Sequence, residues 1–360
     1  MSRVAYATID VSALKHNLSV VKKTAPHSKI LAVIKAHAYG HGLLRVAKSL
    51  DDADAFAIAH CEEAVTLREN KIQKRTVALQ GFSDSDELEV FVEQNIEPVI
   101  YSLEQVELLE KAKLSESFNI WLKIDTGMHR LGFAVEDVES IWNRLNAIPA
   151  LKNNICLMTH FANADEEDNS LTLSQIELFE ETIANKVALK SMANSGAILN
   201  CPESHVDWVR PGLMLYGASP LNEVTAEALD LRPVMTLKSR IIAINHLKKG
   251  ECVGYGSTWC PMEDSRIAVV GIGYGDGYPR HIKENTPVLI NGQQYPIVGR
   301  VSMDMLCVEI GKDELISTGQ EVILWGAGLP AEIIAEKART ISYELFCQVT
   351  SRVRLETINE

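Results

Sequence analysis

The sequence predicts an α/β protein, a (β/α)8 barrel of the TIM type followed by a smaller, mainly β C-terminal domain. Three observations carry this expectation. Eight short apolar runs fall near 30–34, 54–58, 75–79, 97–100, 118–124, 155–160, 188–193 and 205–209. Polar segments with apolar residues at helical spacing separate them, as in Cys61-Glu62-Glu63-Ala64-Val65-Thr66-Leu67-Arg68. Beyond Leu231-Arg232-Pro233 the alternation stops, and strand-type runs follow one another. An open doubly wound sheet gives the same alternation, but a count of eight favours closure. A chain of 360 residues is also too long for one ordinary core. The division is placed at 1–231 for the barrel and 232–360 for the β domain.

In the second part, strands are expected over Met235–His246, Arg266–Ile272, Pro287–Ile290, Tyr295–Val298 and Glu321–Trp325. Asn291-Gly292 sits between two of these runs, a strong hairpin signal. One helical stretch, Ala331–Arg339, interrupts the series. The chain has no internal repeat and no low-complexity segment.

Composition narrows the function classes. Hydrophobic residues make up 46% of the chain, enough for a large interior. The formal charge of -13 argues against nucleic acid and anionic membrane surfaces, which demand clustered Lys and Arg. Met1-Ser2-Arg3-Val4-Ala5-Tyr6 has no apolar export segment, and no apolar stretch is long enough to span a bilayer. The seven cysteines (Cys61, Cys156, Cys201, Cys252, Cys260, Cys307 and Cys347) are scattered singly. An odd count without C-x-x-C spacing predicts neither a disulfide framework nor a zinc site. The expected location is the cytoplasm, and no metal is expected.

The most informative segment is Leu31-Ala32-Val33-Ile34-Lys35-Ala36-His37-Ala38-Tyr39-Gly40-His41-Gly42. An apolar strand ends in a lysine, and a turn with Tyr39 and His41 follows. At the end of a buried strand an ammonium is partly desolvated, which lowers its pKa and frees the amine to attack a carbonyl. Barrel enzymes keep their catalytic groups at the C-terminal ends of the strands. Lys35, Lys123, Asp125, His160, Asn194, Ser195 and Arg210 all fall at such ends. Barrels often bind phosphate after strands 7 and 8, here Ala193-Asn194-Ser195-Gly196-Ala197 and Arg210-Pro211-Gly212-Leu213. Ser195 offers a hydroxyl, and Gly212 lets backbone N–H groups approach an anion. Pro211 has no N–H to give. Two Gly-rich runs, 253–258 around Tyr255 and 271–278 around Tyr274, have the composition of tight turns. Neither is a P-loop, since no Gly-Lys-Ser/Thr follows.

These motifs, in this order, resemble the alanine racemases over almost the whole chain. The resemblance implies pyridoxal phosphate as cofactor, linked to Lys35, with Tyr39, Ser195, Gly212 and Leu213 on its phosphate and Arg210 on its pyridine nitrogen. His160 matches the histidine that hydrogen-bonds that arginine. Arg130, in Leu122-Lys123-Ile124-Asp125-Thr126-Gly127-Met128-His129-Arg130-Leu131-Gly132, matches an arginine near the substrate carboxylate. Lys123 matches a lysine often carbamylated in the family. Tyr255 matches the second catalytic base beside Lys35, and Tyr274 an entrance residue. Met303 and Asp304 match residues near the substrate. A head-to-tail homodimer with shared sites, and a role in supplying D-alanine for peptidoglycan, are implied as well. Three positions depart from the pattern. His37 stands where asparagine or aspartate is more frequent, and Pro211 replaces an aromatic residue. Ser351 replaces a tyrosine that contacts phosphate in some members.

Racemisation needs bases on both faces of the substrate. Lys35 would serve the D-alanine face and Tyr255 the L-alanine face, with a cation such as Arg130 favouring the phenolate. An arginine at the ring nitrogen donates a hydrogen bond but supplies no acceptor. The ring therefore stays a weak electron sink, which suits racemisation better than transamination. Alternatives of other kinds are a serine or broad-specificity racemase, a pyridoxal-phosphate-dependent decarboxylase of basic amino acids, and a carrier of the cofactor. The decarboxylase pairs an acidic residue with the ring nitrogen, so Arg210 counts against it. A carrier needs no second base, so Tyr255 counts against that.

Overall fold

The structure, a computed structural model, describes residues 4–112, 114 and 116–359. Met1, Ser2 and Arg3, part of the segment read for an export signal, lie outside the described residues. Strand β1 (Tyr6–Asp10) leads into a helix (Val11–Thr24) whose N-terminus is capped by the Asp10 carboxylate, which accepts from the Ala13 N–H at 3.0 Å. Eight parallel strands then close into a barrel: β2 (Lys29–Val33), β3 (Ala55–Ile58), β4 (Thr76–Ala78), β5 (Ile96–Ile100), β6 (Ile120–Lys123), β7 (Ile155–Met158), β8 (Lys190–Ser191) and β9 (Trp208–Val209). All eight coincide with the apolar runs. Strands enclosed by helices are buried on both faces, so their sequences read as continuous apolar runs.

The bottom of the barrel is plugged. Trp121 and Trp208 meet edge to face at 5.7 Å, and Trp121 donates its indole N–H to Glu97 at 2.7 Å. Arg75 pairs with Glu97 at 2.7 Å and lies 4.9 Å from the centre of the Trp208 ring. A buried carboxylate is tolerated here because a guanidinium and an indole satisfy it together.

The second sheet contains β10 (Met235–Leu247), β11 (Ser265–Val270), β12 (Pro287–Ile290), β13 (Gln293–Val298), β14 (Leu306–Gly311), β15 (Glu321–Trp325) and β16 (Arg354–Ile358). Its order is β11-β14-β13-β12-β15-β10-β1-β16, and β10 pairs with β11 as well. The first strand of the chain thus belongs to this sheet rather than to the barrel, antiparallel to β10 and parallel to β16. Asn291 and Gly292 join β12 to β13 with φ of 53° and 77°, the left-handed pair that a type I′ turn requires. The expected helix spans Ala331–Ala338, and a second one that was not expected, Ser342–Gln348, follows it.

One expectation fails. Cys252 and Cys260 are joined by a disulfide, while Cys61, Cys156, Cys201, Cys307 and Cys347 are free. The segment between the pair doubles back, with Val253 opposite Trp259. That places the two Cα atoms 4.1 Å apart. No spacing rule marks such a pair, because it arises from a local reversal of the chain.

Among the described residues, no helix is long and apolar enough to cross a membrane.

Candidate active site

A cavity of about 540 Å³ opens at the C-terminal end of the barrel, and Lys35 is in its wall. The strand before Lys35 is fixed along its backbone. Val33 donates to the Pro211 carbonyl at 2.9 Å and its own carbonyl accepts from the Tyr216 hydroxyl at 3.0 Å. Ile34 donates to Ala57 at 2.8 Å. Directly after Lys35 the chain makes a left-handed turn: Ala36, His37, Ala38 and Tyr39 have φ of 54°, 55°, 54° and 50°. Four consecutive non-glycine residues in this region are costly, so the surroundings must hold them. His41 does part of this. Fully buried, it donates from Nδ1 to the Tyr39 carbonyl at 2.7 Å, and burial holds its pKa down to about 4, so the ring is neutral.

The turn also accounts for His37. Its side chain is exposed and does not line the cavity, while its N–H donates to Glu63 at 3.2 Å. Histidine, asparagine and aspartate are the non-glycine residues that most readily accept a left-handed backbone, so the departure at this position keeps the conformation.

Tyr39, Lys123, Arg130, His160, Ser195, Arg210 and Gly212 line the same cavity as Lys35, as the sequence led us to expect. Lys123 ends β6 and is buried. Its pKa is pushed down to about 8 by burial, then by the charges of Arg210, Arg130 and Lys35. Burial also lowers the Lys35 pKa, with Arg130 adding to the effect and Glu63 opposing it. Arg130 rides on a loop pinned by Asp125, whose carboxylate accepts from the N–H groups of Gly127 at 2.9 Å and His129 at 3.0 Å. Asp125 is thus a loop anchor and does not reach the cavity wall.

Arg210 is fully enclosed. Its Nη1 donates to Ser191 Oγ at 2.7 Å, and Nη2 lies 2.7 Å from the Thr159 carbonyl, 2.9 Å from that of Met192 and 3.1 Å from His160 Nδ1. Burial brings its pKa down to about 10, which leaves it charged at neutral pH. Burial, then Arg210, holds the His160 pKa well below the ordinary histidine range. His160 is therefore neutral, and its Nδ1 can accept from the guanidinium.

Ser195 Oγ accepts from the Gly212 N–H at 2.7 Å. A Cβ at Gly212 would come within 2.8 Å of the Tyr39 hydroxyl oxygen, so a side chain there would displace the Tyr39 phenol. Leu213 is buried behind Gly212 and is not part of the wall. Ser351 is exposed and outside the cavity. The wall instead includes Tyr343 and Cys347, from a helix (Ser342–Gln348) of the C-terminal part that lies across the barrel mouth. Tyr343 packs 5.7 Å from Tyr39, ring centre to ring centre. Sequence reasoning missed both residues, since a pair spaced i, i+4 in an amphipathic helix looks like any core pair.

Besides Leu213, four expected site residues are absent from this wall: Tyr255, Tyr274, Met303 and Asp304. The structure groups three of them. Tyr274 donates its N–H to the Ser302 carbonyl at 3.0 Å and Gly275 donates to that of Met303 at 2.9 Å, while Asp304 pairs with Arg352. Tyr255 exposes 71% of its surface, Met303 52% and Tyr274 39%.

Fold and wall together define a barrel protein with a lysine-centred, cation-lined site open to an anionic molecule. Comparison with known proteins narrows this. Residues 9–220 match the family of alanine racemase N-terminal domains, and residues 234–357 that of alanine racemase C-terminal domains. The alanine racemase of Coxiella burnetii (strain RSA 331 / Henzerling II) is 48% identical over 361 residues, covering 99% of each chain. That of Vibrio vulnificus (strain CMCP6) is 48% identical over 353 residues, covering 98% of this chain and 99% of the other. The crystal structure of the biosynthetic alanine racemase from Pseudomonas aeruginosa superposes with a TM-score of 0.96 at 41% identity, covering 99% of this chain and 100% of that one. The chain belongs to the alanine racemase family.

Proposed function

We infer that the protein is an isomerase that interconverts L-alanine and D-alanine. The carrying observation is the cavity wall: Lys35, Lys123, Arg130 and Arg210 contribute to it, and among the described residues no aspartate or glutamate does. Such a wall suits a phosphorylated cofactor and a substrate carboxylate together. The wall residues fit pyridoxal phosphate. Tyr39, Ser195 and Gly212 would hold its phosphate, Arg210 its ring nitrogen and Lys35 its carbonyl carbon, with Leu213 next to Gly212 but outside the wall. When bound, the cofactor withdraws electrons from the substrate and acidifies its Cα–H.

The chain's own groups would then bind the substrate and move the proton. Arg130 orients the substrate carboxylate through charge-assisted hydrogen bonds. Lys35, its amine made easier to deprotonate by burial, takes or returns the proton on the D-alanine face. Tyr255 does so on the L-alanine face. Because Tyr255 stands outside the cavity, this reading requires a second copy of the chain, arranged head to tail. The segment 1–231, which contains the barrel and, in β1, one strand of the second sheet, then binds the cofactor, and 232–360 carries the second base. We place the protein in the cytoplasm, supplying D-alanine for peptidoglycan.

The test is to incubate the purified protein with L-alanine, L-serine and L-lysine separately and follow optical rotation, with and without added cofactor. L-alanine should lose rotation fastest. Borohydride reduction followed by peptide mapping should leave the cofactor on Lys35. Labelling of a different lysine would sink the site assignment, and loss of rotation only with L-lysine would sink the substrate assignment.

Lys123 is proposed to carry a carbamate. Its neutral amine attacks carbon dioxide, forming an N–C bond and releasing one proton. The product converts one of four neighbouring cations into an anion able to orient Arg130. Because the amine is free only above a pKa of about 8, the modification should grow as pH rises through that value. With ¹³C-bicarbonate, a carbamate resonance should appear at alkaline pH and be missing from Lys123→Arg. A resonance that persists in the variant would rule out this assignment.

A further inference from the structure

Cys252 and Cys260, eight residues apart in sequence, bracket the loop that carries Tyr255. Beside the disulfide, Gly250 donates to the Pro261 carbonyl at 3.1 Å across the base of this loop. Val253 donates to the Trp259 carbonyl at 2.9 Å. Val253 also joins Ile267 and Val298 in a small apolar cluster that is separate from the main core. Within the loop Gly254, Gly256 and Ser257 have φ of 66°, 76° and 47°, a run of turn conformations without a regular ladder. The side chain of Tyr255 projects from it largely exposed. Cys252 is itself exposed, so a small thiol or disulfide can reach it.

We propose that Cys252 and Cys260 form a reversible thiol-oxidation site that governs how firmly Tyr255 is presented. The proposal rests on the reading of Tyr255 as a proton-transfer group. The oxidant is a low-molecular-weight disulfide. One cysteine thiolate attacks it, forming a mixed disulfide and expelling one thiolate. The second cysteine thiolate then attacks the protein sulfur of that mixed disulfide and expels the other. The protein loses two electrons and two protons, and the small disulfide becomes two thiols. Oxidation joins the two ends of the loop and removes most of its open conformations. Reduction leaves two backbone hydrogen bonds, Gly250 to Pro261 and Val253 to Trp259, and a small apolar cluster at the base. A proton-transfer group displaced by about 1 Å can lose a large part of its effect.

The holoenzyme should be poised in glutathione buffers from mostly reduced to mostly oxidised, blocked with N-ethylmaleimide and peptide-mapped, with turnover measured in parallel. Cys252 and Cys260 should pass together from doubly blocked to linked, whereas buried Cys61, Cys156 and Cys201 stay thiols. Turnover should fall about tenfold on reduction over the same range of poise. Cys252→Ser should keep the reduced-form rate at every poise. A pair that remains thiol throughout, or a bond that forms with no change in turnover, overturns the proposal. Tyr255→Phe, run alongside, separates the two readings. Full turnover in that variant would remove the role of Tyr255. An inactive Tyr255→Phe beside a parent indifferent to redox poise would overturn only the thiol-oxidation site.

Discussion

Mixing Lys35→Ala with Tyr255→Phe is expected to restore about a quarter of wild-type activity, although each variant alone should lose about 10²–10⁴-fold or more. Lys35 lines the cavity, and Tyr255 stands outside it with most of its side chain exposed. If a second copy of the chain brings Tyr255 to the cavity, a mixed dimer combines both defects in one site and keeps both residues in the other. Random reassortment makes half of all dimers mixed, each with one good site of two. The measurement is racemisation after subunit exchange, with exchange itself followed by differently tagged chains. Should exchange occur while activity stays at the sum of the separate variants, the site lies within one chain.

Replacing Arg210 with glutamate should slow racemisation about 10³-fold. The guanidinium is held by two carbonyls, a hydroxyl and a neutral histidine, all acceptors toward it. A carboxylate among them would face like-signed lone pairs on the protein side. On the cavity side it would draw a proton to the ring nitrogen instead of donating a hydrogen bond there. Negative charge at the substrate Cα would then last longer, so transamination should rise relative to racemisation. Keto-acid formation per racemisation event is the quantity to read, with circular dichroism checking that the variant folds. A parent-like racemisation rate would refute the argument.

Much of the fold was legible because parallel strands buried on both faces leave apolar runs such as Ile30–Val33. Even β8 and β9, only two residues each, stood inside recognisable runs. Strands β1, β14 and β16 were not legible. Tyr6–Asp10 flows straight into a helix, and Arg354–Ile358 is half-exposed with polar residues along it. The barrel side of the site could be read, since lysine, histidine, serine and arginine at strand ends are chemically conspicuous. Tyr343 and Cys347 could not, because only the docking of their helix over the barrel mouth brings them to the cavity. The left-handed turn after Lys35 was hidden too. Only one glycine, Gly40, closes it, and nothing in Ala36-His37-Ala38-Tyr39 announces four positive φ values in a row.

The place of β1 has a consequence for how the chain is made. Tyr6 is synthesised long before its neighbours in the sheet, Lys238 and Arg354. During vectorial synthesis this strand emerges with both edges open, and it stays unpaired until the barrel has been made. Its last partner, β16, lies almost at the chain's end. Contacts so distant in sequence form slowly, and waiting strand edges invite pairing with other chains. The barrel can close before β10, the earlier of the two partners of β1, has been made. Crowding by other nascent copies during that interval would give domain-swapped or aggregated products, with β1 as the strand exchanged.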